Sequence, residues 1–226
     1  MNKPQGIFFH PPIEANALGH IFEEIYRTGL FESVLPQKKE DSIVIDVGAN
    51  LGIASYYFSS RFEKVYAIEP SSRHFEMLTY MLDFNEIKNV YPHKFALSIM
   101  DKDEENFYQY SNKTMDSLYG NLAVNNQTGL VQVGSEKVQL KRLDTFMKEQ
   151  NIEHVNLLKL DCEGVEFEIL GSESFANVAS KIDAIVCEVH TYSGRNPNQI
   201  VDSLKVNGFT VALVPHDATL LVARRI

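Results

Sequence analysis

Three short stretches of this chain put glycines and charged groups where chemistry needs them. The first is Val44-Ile45-Asp46-Val47-Gly48-Ala49-Asn50-Leu51-Gly52, an apolar run that breaks into a glycine turn. A buried strand running through such a turn into a helix leaves free N–H groups at the helix start, and glycine lets backbone approach a ligand closely. A nucleotide-like cofactor is the expectation. Glu69 follows Gly48 by the roughly twenty positions that bring a carboxylate to the end of the next strand, where it can accept both hydroxyl hydrogens of a ribose. The second stretch is Leu158-Lys159-Leu160-Asp161-Cys162-Glu163-Gly164-Val165-Glu166. Asp161 and Glu163 end an apolar strand on one side, so both point into the crevice that Gly48 borders. The third is Glu188-Val189-His190, whose alternation sets Glu188 and His190 on one face.

Asp46, Glu69 and the glycines decide between cofactors. A dinucleotide needs closely spaced glycines so that the backbone can reach a pyrophosphate, but position 50 is Asn and Gly48 and Gly52 are four apart. Asp46 would repel a phosphate and suits the ammonium or sulfonium side of S-adenosylmethionine, which is therefore favoured over NAD. A turn that only packs helix on strand is the plainer alternative, and it leaves Glu69 unexplained. Glu163 near a helix start would account for one carboxylate of the second stretch but not two. His190, with an ordinary pKa near 6.5, is the candidate general base, supported by Asp161 and Glu163. Fixing a loop is its alternative, and His216 is a weaker candidate. Asp161, Glu188 and His190 could hold a hard cation, but no ligand spacing demands one and no metal is expected.

These groups need a frame. Strands are predicted over residues 43–47, 65–68, 90–97, 157–160 and 184–189, separated by helical segments, which implies parallel pairing with right-handed crossovers. Ser71 or Ser72 can cap a helix whose inner face is Phe75, Leu78, Met81 and Leu82. A helix from Pro197, with Ile200, Val201 and Leu204 inward, stops at Gly208. Residues 209–214 and 219–224 are joined by four residues, so they form an antiparallel hairpin. Residues 100–142 break the rhythm and predict an inserted β-hairpin region near the site, with Tyr108, Tyr110 and Tyr119 able to stack on a sugar or to fill a hairpin face. Residues 1–40 carry helical spacing at Ile13, Ala17, Leu18, Ile21, Phe22 and Ile25, an appendage to a main domain over residues 41–226. It either packs on the core or lids the substrate.

Composition sets the outer limits. The 226 residues are 44% hydrophobic and 23% charged, which excludes a disordered or collagen-like chain. No apolar run is long enough for a membrane span and no signal peptide is legible, so a cytoplasmic protein is expected. A formal charge of −9 without a basic stripe argues against nucleic acid and for a small-molecule acceptor. Cys162 and Cys187 lie in apolar runs and predict structural thiols.

Asp46-Val-Gly-Ala-Asn-Leu-Gly52, Glu69-Pro70, Arg142-Leu143-Asp144-Thr145-Phe146 and Lys159-Leu-Asp161-Cys-Glu163-Gly164-Val-Glu166 together resemble the FkbM family of S-adenosylmethionine-dependent methyltransferases, over about residues 43–190. The resemblance implies a Rossmann-like α/β fold: seven strands, mostly parallel with the last antiparallel, and helices on both faces. It implies that Asp46, Gly48, Ala49 and Asn50 line the methionine part of the cofactor, with Gly52 closing the same motif. Glu69 and Pro70 border the ribose, Ala96 or Leu97 the adenine, and Asp161 meets the cofactor amine or the acceptor. Family members often methylate hydroxyl oxygens of sugars or natural products, so O-methylation is the expectation. N-methylation and a non-catalytic cofactor-binding module that regulates a partner are the alternatives. Residues 1–40 match no motif of the family.

Overall fold

The computed structural model describes residue 29 and residues 31–112, 115–120, 131–191, 194–214 and 217–226. The helical appendage expected before residue 29, and His216, lie outside the described residues.

Short runs rich in Val, Ile and Leu become strands buried on both faces, as parallel strands sandwiched by helices must be. They are β1 (Ile43–Val47), β2 (Lys64–Ile68), β7 (Val155–Leu160) and β8 (Ile182–Glu188), with the partly exposed edge strand β3 (Val90–His93) beside β2 and with β9 (Phe209–Val214) and β10 (Asp217–Arg225) ending the chain. The seven lie in the order β3-β2-β1-β7-β8-β10-β9. β10 runs antiparallel to both of its neighbours. The predicted antiparallel last strand is therefore present, and it lies inside the sheet between β8 and β9.

Helices α1 (Ile53–Ser59) and α2 (Ser72–Phe84) cover one face, where Phe58, Leu78 and Met81 pack on Val44, Val65 and Leu157. Helices α3 (Leu143–Glu149), α4 (Glu166–Leu170), α5 (Glu173–Ala179) and α6 (Asn198–Val206) belong to the other, where Phe146, Ile169, Phe175 and Leu204 meet Ile45, Leu158 and Ile185. Gly208 sits just past α6 with φ of 86°, the left-handed stop that the sequence predicts.

The segment predicted as one strand over residues 90–97 divides. Residues 90–93 stay with the main sheet, and β4 (Ala96–Ser98) leaves it to pair in parallel with β6 (Gln132–Arg142). β5 (Lys102–Tyr110) pairs antiparallel with β6, so the insertion is a three-stranded sheet rather than a bare hairpin. It is tied to the main domain at α2. Neither Ser71 nor Ser72 caps that helix with its side chain; the Ser72 N–H donates to Glu136 of β6 at 3.1 Å. A carboxylate at the positive end of a helix is favourable wherever it comes from. No helix among the described residues is long and apolar enough to cross a membrane.

Candidate cofactor and active site

The strand order reverses between β1 and β7, and in open α/β sheets ligands bind at such a point beyond the carboxyl ends of the strands. An open cleft lies there, bordered by Gly48, Asn50, Glu69, Ala96, Leu97 and Asp161. Gly48 is required by contact as well as by conformation. Its φ is 72°, and a Cβ would stand 1.7 Å from the carbonyl oxygen of Asp161, so the turn after β1 rests directly on the end of β7.

Glu69 is 4% exposed. Its Oε2 accepts from the Asn50 N–H and its Oε1 from the Ser71 N–H, both at 2.8 Å. Two backbone donors fix the carboxylate, and its remaining lone pairs are available to the two hydroxyls of a ribose. Pro70, Ala96, Leu97, Phe107 and Leu118 make the adjoining wall apolar. The Asn50 Oδ1 is buried without a hydrogen-bond partner, which is unusual for a native polar atom. The donor set thus suits a ribose-bearing cofactor with an apolar base.

Three members of the glycine motif do not face the cleft. Asp46 is fully buried; its Oδ2 accepts from the Ser55 hydroxyl at 2.6 Å and its Oδ1 pairs with the Lys159 ammonium at 3.1 Å. A carboxylate without exposure must take its counter-charge from the protein, and here Lys159 supplies it. Ala49 belongs to the core. Gly52 is needed for packing, since a Cβ there would lie 2.4 Å from Leu78 Cδ1 and 2.5 Å from Met81 Cε.

The loop from Asp161 to Glu166 carries the second half of the site. Glu166 is fully buried and accepts from the N–H groups of Cys162 and Gly164, each at 2.9 Å, and it contacts His190 Nδ1 at 2.9 Å. This directs His190 Nε2 toward Glu163 at 3.5 Å, Glu188 at 3.7 Å and Asp161 at 4.0 Å. Burial would push the His190 pKa down, but the hydrogen bond to Glu166 and the charges of Glu163, Glu166 and Asp161 outweigh it and push it up to about 10. A pKa raised that far keeps the imidazole protonated at neutral pH, which speaks against the base role expected of His190. Donor atoms of Asp161, Glu163 and His190 lie within 4.8 Å of one another. That spacing would suit a cation, and the imidazolium itself supplies one. The Cys162 and Cys187 thiols are free, and burial followed by the Glu166 charge pushes both pKa values well up, so neither serves as a nucleophile.

The inserted sheet reaches this loop as the sequence predicts. The Ser117 hydroxyl donates to the carbonyl of Glu163, a residue in the left-handed conformation with φ of 53°. Asp116 borders the cleft and accepts from Arg73 at 2.7 Å and from the Tyr110 N–H at 3.0 Å. Of the three tyrosines, Tyr110 is fully buried with its hydroxyl on the Tyr119 carbonyl, and the Tyr119 hydroxyl donates to Glu168. The Tyr110 ring, without exposure, is not open to an acceptor. Lys159, Glu166 and Asp116 are the residues that sequence reasoning left without a role. Lys159 alone had a legible signal, an ammonium inside an otherwise apolar strand.

The model of the methyltransferase FkbM domain matches residues 46–211. Methyltransferase 1 of Beauveria bassiana is 26% identical over 58% of this chain and 58% of its own length. Hexuronic acid methyltransferase AglP of Haloferax volcanii is 24% identical over 76% of this chain and 64% of its own. The chain thus spans less than two thirds of either relative. The crystal structure of methyltransferase FkbM from Methylobacillus flagellatus superposes with a TM-score of 0.53 at 14% identity, covering 87% of this chain and 47% of that one, a likeness of fold.

Proposed function

This chain belongs to the FkbM methyltransferase family, and from that premise we propose that it transfers a methyl group from S-adenosylmethionine to a hydroxyl of a small, uncharged acceptor. The carrying observation is Glu69, a buried carboxylate fixed by two backbone N–H groups beside an apolar wall and across the cleft from Asp161. When bound, S-adenosylmethionine supplies an electrophilic methyl carbon on a sulfonium that leaves as a neutral thioether. Glu69 holds the ribose, Ala96 and Leu97 flank the adenine, and Asp161 takes the α-ammonium.

Methyl displacement needs in-line placement above all, which a fixed cleft provides. Glu163 would take the proton of the acceptor hydroxyl as that oxygen accepts the methyl group a bound S-adenosylmethionine would supply. Protonated His190 holds Glu163, Asp161 and Glu188 together against their mutual repulsion. Asp161 and Glu163, which border the cleft, disfavour an acidic acceptor by like-charge repulsion. A hexuronic acid, for which the Haloferax volcanii relative is named, suits this mouth less well than a neutral polyol. The same charge would attract an amine, which keeps N-methylation as the second reading.

Calorimetry with S-adenosylhomocysteine and with NAD tests the cofactor. Binding of the first and not the second is expected, and Glu69→Ala should weaken it by roughly tenfold or more as charge-assisted hydrogen bonds are lost. Tight NAD binding without binding of the adenosyl ligand would overturn the proposal. Transfer of labelled methyl to neutral polyols in preference to uronic acids tests the acceptor class.

A further inference from the structure

Lys159 opens the second motif of the family resemblance, and packing alone does not explain its environment. It stands on β7 directly opposite Asp46 of β1 in the parallel register. Its side chain is 11% exposed, and its ammonium touches four acceptors from both strand ends. Asp46 Oδ1 lies at 3.1 Å, the Gly48 carbonyl at 3.2 Å, Asp161 Oδ2 at 3.4 Å and the Val47 carbonyl at 3.5 Å. These contacts divide into two jobs. Asp46 is fully buried, and its charge requires a cation beside it. Asp161 is one-third exposed at the cleft; a surface carboxylate would rotate freely, but the ammonium holds Oδ2 and leaves Oδ1 on the side of His190.

We infer that Lys159 is a positioning residue of the cofactor site: it cancels the buried charge of Asp46 and fixes the Asp161 carboxylate, so that Asp161 alone offers its charge to the cofactor's α-ammonium. This rests on the assignment of the cleft to S-adenosylmethionine. The charges agree with that assignment. Asp46, Lys159 and Asp161 sum to one negative charge, and the methionyl part of S-adenosylmethionine, with an ammonium, a sulfonium and a carboxylate, sums to one positive.

The test separates the two jobs by calorimetry with S-adenosylhomocysteine and by thermal unfolding. Lys159→Met strands the Asp46 charge and should lower both stability and affinity. The double variant Asp46→Asn/Lys159→Met removes the stranded charge, so its melting temperature should return toward that of the native chain. Its affinity should stay weakened by roughly tenfold or more, because Asp161 then keeps only its longer contact with His190. Asp161→Asn should reproduce the affinity loss alone. A folded double variant that binds S-adenosylhomocysteine as tightly as the native chain would overturn the inference. Should the double variant not fold, Asp46→Asn decides: Lys159 still holds Asp161, so affinity should be retained, and its loss would overturn the inference by placing Asp46 at the ligand. A native chain that binds no S-adenosylhomocysteine overturns the cofactor assignment itself, and with it this inference; native binding with an unaffected double variant overturns this inference alone.

Discussion

The turn after β1 and the loop after β7 meet across one cleft, yet they divide the work unequally. In the turn, Asp46, Ala49 and Gly52 are turned inward and serve an ion pair, the core and the contact with α2; Val47, Gly48 and Asn50 border the ligand space. In the loop, Asp161 and Glu163 face that space, and Glu166 works behind them to hold His190. The glycine motif, the louder signal in the sequence, is mostly scaffold. The quieter loop carries most of the charge. A glycine-rich turn is recognisable because backbone geometry constrains it, and that constraint comes from packing as readily as from a ligand.

Alanine at the two glycines breaks this comparison most directly. Gly48→Ala forces a Cβ onto the Asp161 carbonyl, rigid backbone, at a left-handed φ. A loss of about 3–5 kcal/mol is expected, together with loss of S-adenosylhomocysteine binding. Gly52→Ala meets the flexible ends of Leu78 and Met81 instead and should cost about 2 kcal/mol while binding is retained in the folded protein. Equal loss of binding in both variants would return Gly52 to the ligand site. Chemical denaturation and calorimetry on each variant read both quantities.

The loop is best tested through His190. Its pKa is raised in the folded chain to about 10 from an ordinary 6.5. The folded state therefore binds the proton more tightly, and the stability this gives is fully present below about pH 6.5 and is lost as pH rises through about 10. The native chain should lose several kcal/mol across that window in denaturant titrations. His190→Asn keeps a donor for Glu166 but has no proton to lose, and should show a flatter profile and lower stability at pH 7. Parallel profiles for the two proteins would mean that His190 is neutral when folded, and would restore it as the candidate base.

How much of this was legible follows from what each residue faces. The strands at β1, β2, β7 and β8 and the terminal hairpin could be read because buried parallel strands are continuous apolar runs and a four-residue connection admits one geometry. Glu69, Asp161, Glu163 and His190 could be placed at the cleft because each ends such a run. The direction of Asp46 could not, since a strand buried on both faces has no alternation to show which side a lone carboxylate takes. Residues 90–97 read as one strand because Val90, Tyr91, Phe95, Ala96 and Leu97 are apolar on either side of Pro92-His93-Lys94, whereas their division depends on the distant β6. Tyr110 looks like an exposed aromatic beside polar neighbours, and only the fold of the insertion buries it.

The mildest substitution tests the least visible part of the comparison. Ser55 donates to Asp46 Oδ2 at 2.6 Å and both residues are fully buried. Ser55→Ala leaves that oxygen without its donor, which should cost about 1–2 kcal/mol because a buried acceptor then goes unsatisfied. Lys159 still pairs with Asp46 Oδ1 and holds Asp161, so S-adenosylhomocysteine affinity should be unchanged. Were Asp46 instead a ligand of the cofactor, freeing one of its oxygens would alter affinity along with stability. A shift in calorimetric affinity of roughly tenfold in Ser55→Ala would therefore reverse the division of work between turn and loop, whereas a stability loss alone keeps Asp46 among the residues that build the cleft without entering it.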